Sequence, residues 1–302
     1  MTMTRKIMIQ GEEYTLITNF KENEIYRRGL NQLTKKTFGF DFEDWYKAGY
    51  WGDRYIPYAL LHQDKLVANV SANPLDFLVD GKRKSYLQLG TVMTDEAYRG
   101  KGLSRALMEL VLKEYEGVEL IFLYANDSVT EFYPKFGFLP ADEYIHSKMM
   151  HRSGKQHPYR RLDMDSAEDR DLLFKLVRES IPAARISMLD NPGLVMFYLT
   201  KFMRENIYYL EEPKLAAVAE REGDALLLQD VFASGEFELD DVISSLMDRD
   251  TMKVVLGFTP KDTRGYDCEP LVEEGSTFFV LRNPSASACV PGQGRFPLLS
   301  HT

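Results

Sequence analysis

The sequence predicts a mixed α/β protein built on mixed sheets, and three observations carry that expectation. β-like runs alternate with stretches at helical spacing through the first 150 residues. Asp80-Gly81, between two long strand candidates, is a strong hairpin signal, because both residues tolerate the positive φ of a tight turn. Val118 to Tyr124 is an almost continuous apolar run after an amphipathic stretch, the pattern of a strand covered on both faces.

Taken in order, Tyr14 to Thr18 is a short strand, and Lys21 to Lys36 is a helix with Ile25, Leu30 and Leu33 at helical spacing. Tyr55 to Leu61 alternates toward a strand and polar His62 to Lys65 turns the chain. Leu66 to Val79 and Ser85 to Thr94 are the arms of the Asp80-Gly81 hairpin. A glycine-interrupted loop opens a helix over Leu103 to Glu116, whose Leu103, Leu107, Leu110 and Val111 form one buried stripe. Gly117 is placed to end it in the left-handed conformation. A short helix from Ser128 to Phe136 and a strand from Phe138 complete the unit.

Polar residues, a glycine and a proline cluster at His151 to Pro158, which divides the chain into units 1–152 and 153–302. The second unit echoes the first at an offset of 139 residues: Leu226 to Val231 follows Leu87 to Val92, and Leu246-Met247 follows Leu107-Met108. Val254 to Phe258 then replaces the Leu120 to Tyr124 strand. The tail, Asn283 to Thr302, is rich in Pro, Gly and Ser and is expected to be irregular.

Composition narrows the function classes. Of 302 residues 44% are apolar and 27% charged, a globular balance. No run approaches a membrane span, and the first residues lack the apolar core of a signal peptide, so a cytoplasmic protein with no membrane partner is expected. The two cysteines, Cys268 and Cys289, read as reduced thiols, and no His or Cys spacing suits a metal. The net charge of −9 argues against nucleic acid. It is uneven, with 20 Lys and Arg against 21 Asp and Glu through Gly154, then 17 against 25. That balance is compatible with a cationic small substrate.

The informative segment is Thr94-Asp95-Glu96-Ala97-Tyr98-Arg99-Gly100-Lys101-Gly102-Leu103-Ser104, which follows a strand and opens a helix. A helix N-terminus leaves backbone N–H groups unpaired and carries partial positive charge, which suits an anion. Gly100 and Gly102 present no Cβ, so the backbone can approach a phosphate closely. Arg99 and Lys101 add charge and the Ser104 hydroxyl a further donor. This is a pyrophosphate cradle. It is neither a P-loop, which needs Gly-Lys followed by Ser or Thr, nor GxGxxG, since no third glycine follows. A second segment, Asn126 to Phe138, comes after the next strand and contains Tyr133-Pro134 and Gly137-Phe138.

Strand, Arg-x-x-Gly-x-small, amphipathic helix, apolar strand, Asn, short Tyr-bearing helix, then Gly-Phe resembles the GCN5-related N-acetyltransferase family over residues 14 to 150. The resemblance implies an acyl-CoA N-acyltransferase-like fold with a splayed sheet, in tandem if the echo is a duplication. It implies acetyl-CoA as co-substrate. Val92, Met93 and Thr94 would meet the thioester carbonyl and pantetheine arm, and Arg99, Gly100, Lys101, Gly102, Leu103 and Ser104 would hold the pyrophosphate. Asn126 would bond the pantetheine and Tyr133 would protonate the leaving thiolate. Ser104 stands where the family usually has Gly or Ala, and Pro134 could bend the turn that carries Tyr133. Asp95, Glu96, Glu43 and His62 are open choices for a base, should the amine arrive protonated.

The acceptor is expected to be a small amine, cationic or aromatic. Phe38, Phe40, Phe42, Trp45, Tyr46, Tyr50, Trp51, Tyr55 and Tyr58 are interleaved with Asp41, Glu43, Asp44 and Asp53, and aromatic faces beside carboxylates favour such ligands. The alternatives are a protein amine as acceptor and a non-catalytic CoA-binding sensor. In the second unit Asp241 stands where Gly102 does, within an acidic Ser234 to Asp241 run, so that unit is expected to be degenerate and to bind no CoA. Oligomeric state is left open, a homodimer being one option.

Overall fold

The computed structural model describes residues 2–150, 154–283 and 292–302. Cys289, part of the 151–158 boundary and most of the Pro/Ser stretch of the tail lie outside them.

The chain begins with β1 (Met3–Ile9), β2 (Glu12–Thr18), α1 (Glu24–Phe38) and α2 (Glu43–Lys47). The long strands β3 (Ile56–His62), β4 (Lys65–Val79) and β5 (Lys82–Thr94) follow, then α3 (Leu103–Glu114) and β6 (Leu120–Asn126). Next come β7 (Leu139–Pro140), β8 (Tyr144–Met149), β9 (Tyr159–Arg161), α4 (Ala167–Glu179), β10 (Ile186–Leu189) and α5 (Pro192–Lys201). Then β11 (Ile207–Leu210), β12 (Leu215–Glu222), β13 (Ala225–Ala233), α6 (Leu239–Leu246), β14 (Lys253–Leu256), β15 (Asp267–Pro270) and β16 (Ser276–Arg282) complete the order.

The hairpin signal holds: Asp80 and Gly81 take φ of 48° and 77° between β4 and β5. Asn23 caps α1 by accepting from the Ile25 and Tyr26 N–H groups, so that helix starts three residues later than its apolar spacing suggests. α3 ends at Glu114, ahead of Gly117, with Tyr115 as its cap. The helix expected over 128–136 is instead two 3-10 turns, Asp127–Val129 and Tyr133–Phe136. Pro134 has no N–H to give and would strike the carbonyl four residues back, so an α-helix cannot run through it. At the second position of a fresh turn it is tolerated, and Tyr133 begins that turn without a kink.

Two mixed sheets result. The first runs β1-β2-β3-β4-β5-β6-β16-β7, with β10 pairing onto β4. The second runs β15-β8-β14-β13-β12-β11-β9. A division at 152/153 therefore does not separate the sheets. β8 crosses forward to pair antiparallel with β14, and β16 returns to pair antiparallel with β6. Both exchanges bury apolar strands: Phe278, Phe279 and Val280 of β16 are all buried in the first sheet.

Each sheet contains the same local path. An antiparallel pair with a bulge leads through a helix to a strand parallel to its second member: β4-β5, α3, β6 in one, β12-β13, α6, β14 in the other. Leu87 faces Ile121 and Leu226 faces Val254 in the corresponding parallel registers.

Candidate active site

The site starts from a defect in β5. The β4–β5 register slips between Asn69 and Ser71, so that Gly90 faces Ser71 but Met93 faces Asn69. Thr91 sits in the bulge at φ 43°, a strained value for a β-branched residue. Hydrogen bonds hold it there: Thr91 Oγ1 donates to Ser71 Oγ at 2.7 Å and bonds the Tyr55 hydroxyl at 2.8 Å. Asn69 Nδ2 donates to the Thr91 carbonyl at 3.0 Å.

Beyond the bulge β5 leaves β6. Their parallel pairing consists of Leu87↔Ile121 and Gln88↔Phe122, and the strands then splay. The gap opens a cavity of about 1310 Å³ between residues 89–94 on one wall and Tyr124 and Asn126 on the other. That exceeds the several hundred Å³ that one small ligand fills, and leaves room for two co-substrates.

At one end lies the start of α3. Gly100 and Gly102 have φ of 78° and 73°, and Gly102 is the N-cap with no side chain closing the first turn. The first N–H groups of α3 therefore stay available to an anion. A Cβ on Gly102 would also meet Gln10 Nε2 at 3.1 Å, and Gln10 itself lines the cavity. Ser104 Oγ lies 2.6 Å from Thr94 Oγ1, tying the helix start to the bulged strand.

Val92, Met93, Thr94, Arg99, Gly100, Gly102, Leu103, Ser104, Asn126 and Tyr133 all line this cavity. Lys101 does not. Its Nζ reaches Glu12 at 3.3 Å and lies 5.2 Å over the Tyr98 ring. Arg105 and Lys135 line the cradle end instead. Helical spacing could have found Arg105, three residues past the Gly102 N-cap on the first turn of α3.

Tyr133 is 5% exposed and packs against Phe132, Phe138 and Phe279. Burial pushes its phenol up to about 12, so it holds its proton at neutral pH. The open choices for a base are all elsewhere. Asp95 receives Lys65 at 2.9 Å and the Ala97 N–H at 3.1 Å, and Glu96 pairs with Lys36 at 3.3 Å. Glu43 is held by Arg27, and His62 Nδ1 bonds the Tyr98 hydroxyl at 3.0 Å. None of the four lines the cavity.

His301 and Thr302 line it too, although no sequence motif marks them. The Thr302 main chain crosses Gly90 so closely that a Cβ there would meet the Thr302 carbonyl oxygen at 2.5 Å. His301 stacks on Tyr124 at 3.9 Å between centroids. Burial, helped by the charge of Arg295, pushes its imidazole down to about 3, so the ring is neutral. Its Nε2 is buried with no partner. Behind it the Tyr124 hydroxyl donates to Glu143 Oε2 at 3.1 Å, while Glu143 Oε1 accepts the Phe296 N–H at 2.7 Å.

The far end of the cavity is aromatic and is made by both halves. Phe38, Phe40, Phe42, Trp45 and Tyr55 meet Phe197, Tyr198 and Phe202 from α5 and its end. The junction is close: Trp45 Nε1 donates to the Gly193 carbonyl at 2.7 Å, and a Cβ on Gly193 would collide with the Tyr50 carbonyl.

Residues 23–141 match the family model of an acetyltransferase (GNAT) domain. No curated protein matches the sequence. Among solved structures, the chain is similar to an Enterococcus faecalis protein of unknown function described as a probable N-acyltransferase. That match has 14% identity over 93% of this chain and 73% of the other, with a TM-score of 0.58. It is similar to a GCN5-related N-acetyltransferase from Kribbella flavida (17% identity, 89% and 72% covered, TM-score 0.54). It also resembles Eis1 from Mycobacterium abscessus (13%, 92% and 73%, TM-score 0.53). Likeness at such identities is a likeness of fold.

Proposed function

We propose that this chain, which carries an acetyltransferase (GNAT) domain, transfers acetyl from acetyl-CoA to the amine of a small molecule in the cytoplasm. The observation that carries this reading is the cavity itself. It joins an uncapped helix start between two positive-φ glycines to a buried, protonated Tyr133.

In this reading the pyrophosphate lies on the Gly100 to Ser104 backbone with Arg99, and Arg105 or Lys135 adds charge. The pantetheine passes between β5 and Asn126. Backbone N–H groups of the bulged strand near Met93 support the oxyanion that develops on the thioester carbonyl. The neutral amine attacks that carbon, the C–S bond breaks, Tyr133 gives its proton to the departing sulfur, and the proton shed by the new amide nitrogen returns through water to the Tyr133 phenolate. A phenol at about 12 keeps the proton until thiolate charge forms nearby. His301, neutral and stacked on Tyr124, forms part of the cavity wall.

The second unit is read as a degenerate copy that binds no CoA and closes the acceptor side. A CoA-binding sensor is the rival, and Tyr133 separates the two. Tyr133→Phe should lower turnover at least tenfold, by free-thiol release, while acetyl-CoA affinity by calorimetry stays within twofold. Unchanged turnover would remove the acid role, and an absence of acetyl-CoA binding to the native chain would remove the function.

A further inference from the structure

We propose that the acceptor is a monoamine on a flat aromatic body, and that polycations are excluded; this rests on the transferase reading above. The aromatic and acidic residues between Phe38 and Tyr58 are interleaved in sequence, but the fold separates them. The rings go to the cavity and the carboxylates do not. Glu43 is taken by Arg27, with Nε at 3.0 Å and Nη2 at 3.3 Å, and by Asn31 at 3.0 Å. Asp53 receives Lys21 at 2.7 Å. Asp41 accepts the Glu43 N–H at 3.2 Å. Neither these nor Asp44 reaches the cavity, and no Asp or Glu side chain lines it among the described residues. The charged side chains that do line it, Arg99, Arg105 and Lys135, are cationic.

A polyamine or aminoglycoside would therefore bury several ammonium groups against a wall that offers them no Asp or Glu side chain. A ring face returns less than the desolvation of each additional ammonium costs. A single amine meets a different situation. It is neutral when it attacks, and only its apolar carrier needs a wall.

That wall is built for a ring. Phe40 lies 5.4 Å from Phe42, 5.7 Å from Phe197 and 5.5 Å from Phe202, with the first and last edge-to-face. Phe202 is 51% exposed and Phe38 37%, although both line the cavity. Two bare phenyl rings at the lip are what an aromatic guest would cover. His301 and Tyr124, stacked on each other, line the same cavity as this wall.

The experiment measures binding and transfer separately on the full chain. Tryptamine, phenethylamine, spermidine and kanamycin are titrated by calorimetry against protein saturated with CoA, and each is then tried with acetyl-CoA for thiol release. The two arylalkylamines are expected to bind at least 100-fold more tightly than either polycation. Phe202→Ala should weaken tryptamine binding about tenfold and leave the acetyl-CoA dissociation constant unchanged. Preference for spermidine or kanamycin, or binding of none of the four, overturns the proposal. Tight tryptamine binding without thiol release leaves the acceptor class standing and overturns the transferase reading instead.

Discussion

The starts of α3 and α6 occupy corresponding places in the same local path of each sheet, and only the first is open and free of carboxylates. At α3 the turn is Gly100-Lys101-Gly102, the neighbouring strands splay, and the cavity runs up to the first N–H groups. At α6 the first turn holds Asp240 and Asp241, and the chain after β8 lies across it. Gly154 N donates to Ser244 Oγ at 3.2 Å, Lys155 N to Asp241 Oδ1 at 2.9 Å, and His157 N to Ser245 Oγ at 2.8 Å. Lys148 holds Asp240 at 2.6 Å. The lesson is that helix polarity alone does not make an anion site. The ends must also be free of carboxylates and open to approach, and α6 fails on both counts.

The most direct way to break this comparison is to give α3 the residue of α6. Gly102→Asp forces a non-glycine to φ 73° and sets a carboxylate against the pyrophosphate. Left-handed strain of about 1–2 kcal/mol adds to the repulsion, so acetyl-CoA affinity should fall at least ~100-fold by calorimetry. An unchanged affinity would mean that the cradle is elsewhere.

The next largest effect concerns where each region keeps its acid. The first half hides Glu143 behind the cavity wall, and burial, only partly offset by Arg295 and two hydrogen bonds, raises it from 4.5 to about 7. A raised carboxyl favours the folded state fully below pH 4.5 and loses that contribution as pH rises through 7. The loss should reach up to about 3 kcal/mol at alkaline pH. Glu143→Gln should flatten the decline of Tm between pH 5 and 8. A slope equal to that of the native chain would place the titrating group elsewhere.

The smallest effect sharpens the contrast from the other side. Asp241→Asn keeps an acceptor for the Lys155 N–H but removes the charge, and stability should change by less than about 1 kcal/mol. Calorimetry with acetyl-CoA should still give one site per chain, because the covering segment remains. A second site in this variant would show that charge alone had closed α6.

The fold of the first half was legible because its signals are local. Asp80-Gly81, the Leu103 to Val111 stripe and the apolar Val118 to Tyr124 run each act within a few residues. The cradle was legible for the same reason, since a glycine-bounded helix start is a contiguous motif. Lys101 shows the limit: position in a motif does not fix where a side chain points, and Glu12 and the Tyr98 ring drew it outward. The carboxylates among the aromatics do not line the cavity for a related reason. Glu43 and Asp53 found cations 16 and 32 residues away in sequence.

The sequence by itself determined the mixed α/β class, the glycine cradle and the Tyr133 segment, because turn chemistry and periodicity are properties of neighbours. Tertiary structure decided the rest. It carried β16 back into the first sheet, packed α5 against Trp45 through Gly193, and brought His301 and Thr302 over Gly90. These contacts join residues more than 140 positions apart, and no local pattern encodes them. They arise because apolar faces on separate segments bury best against one another.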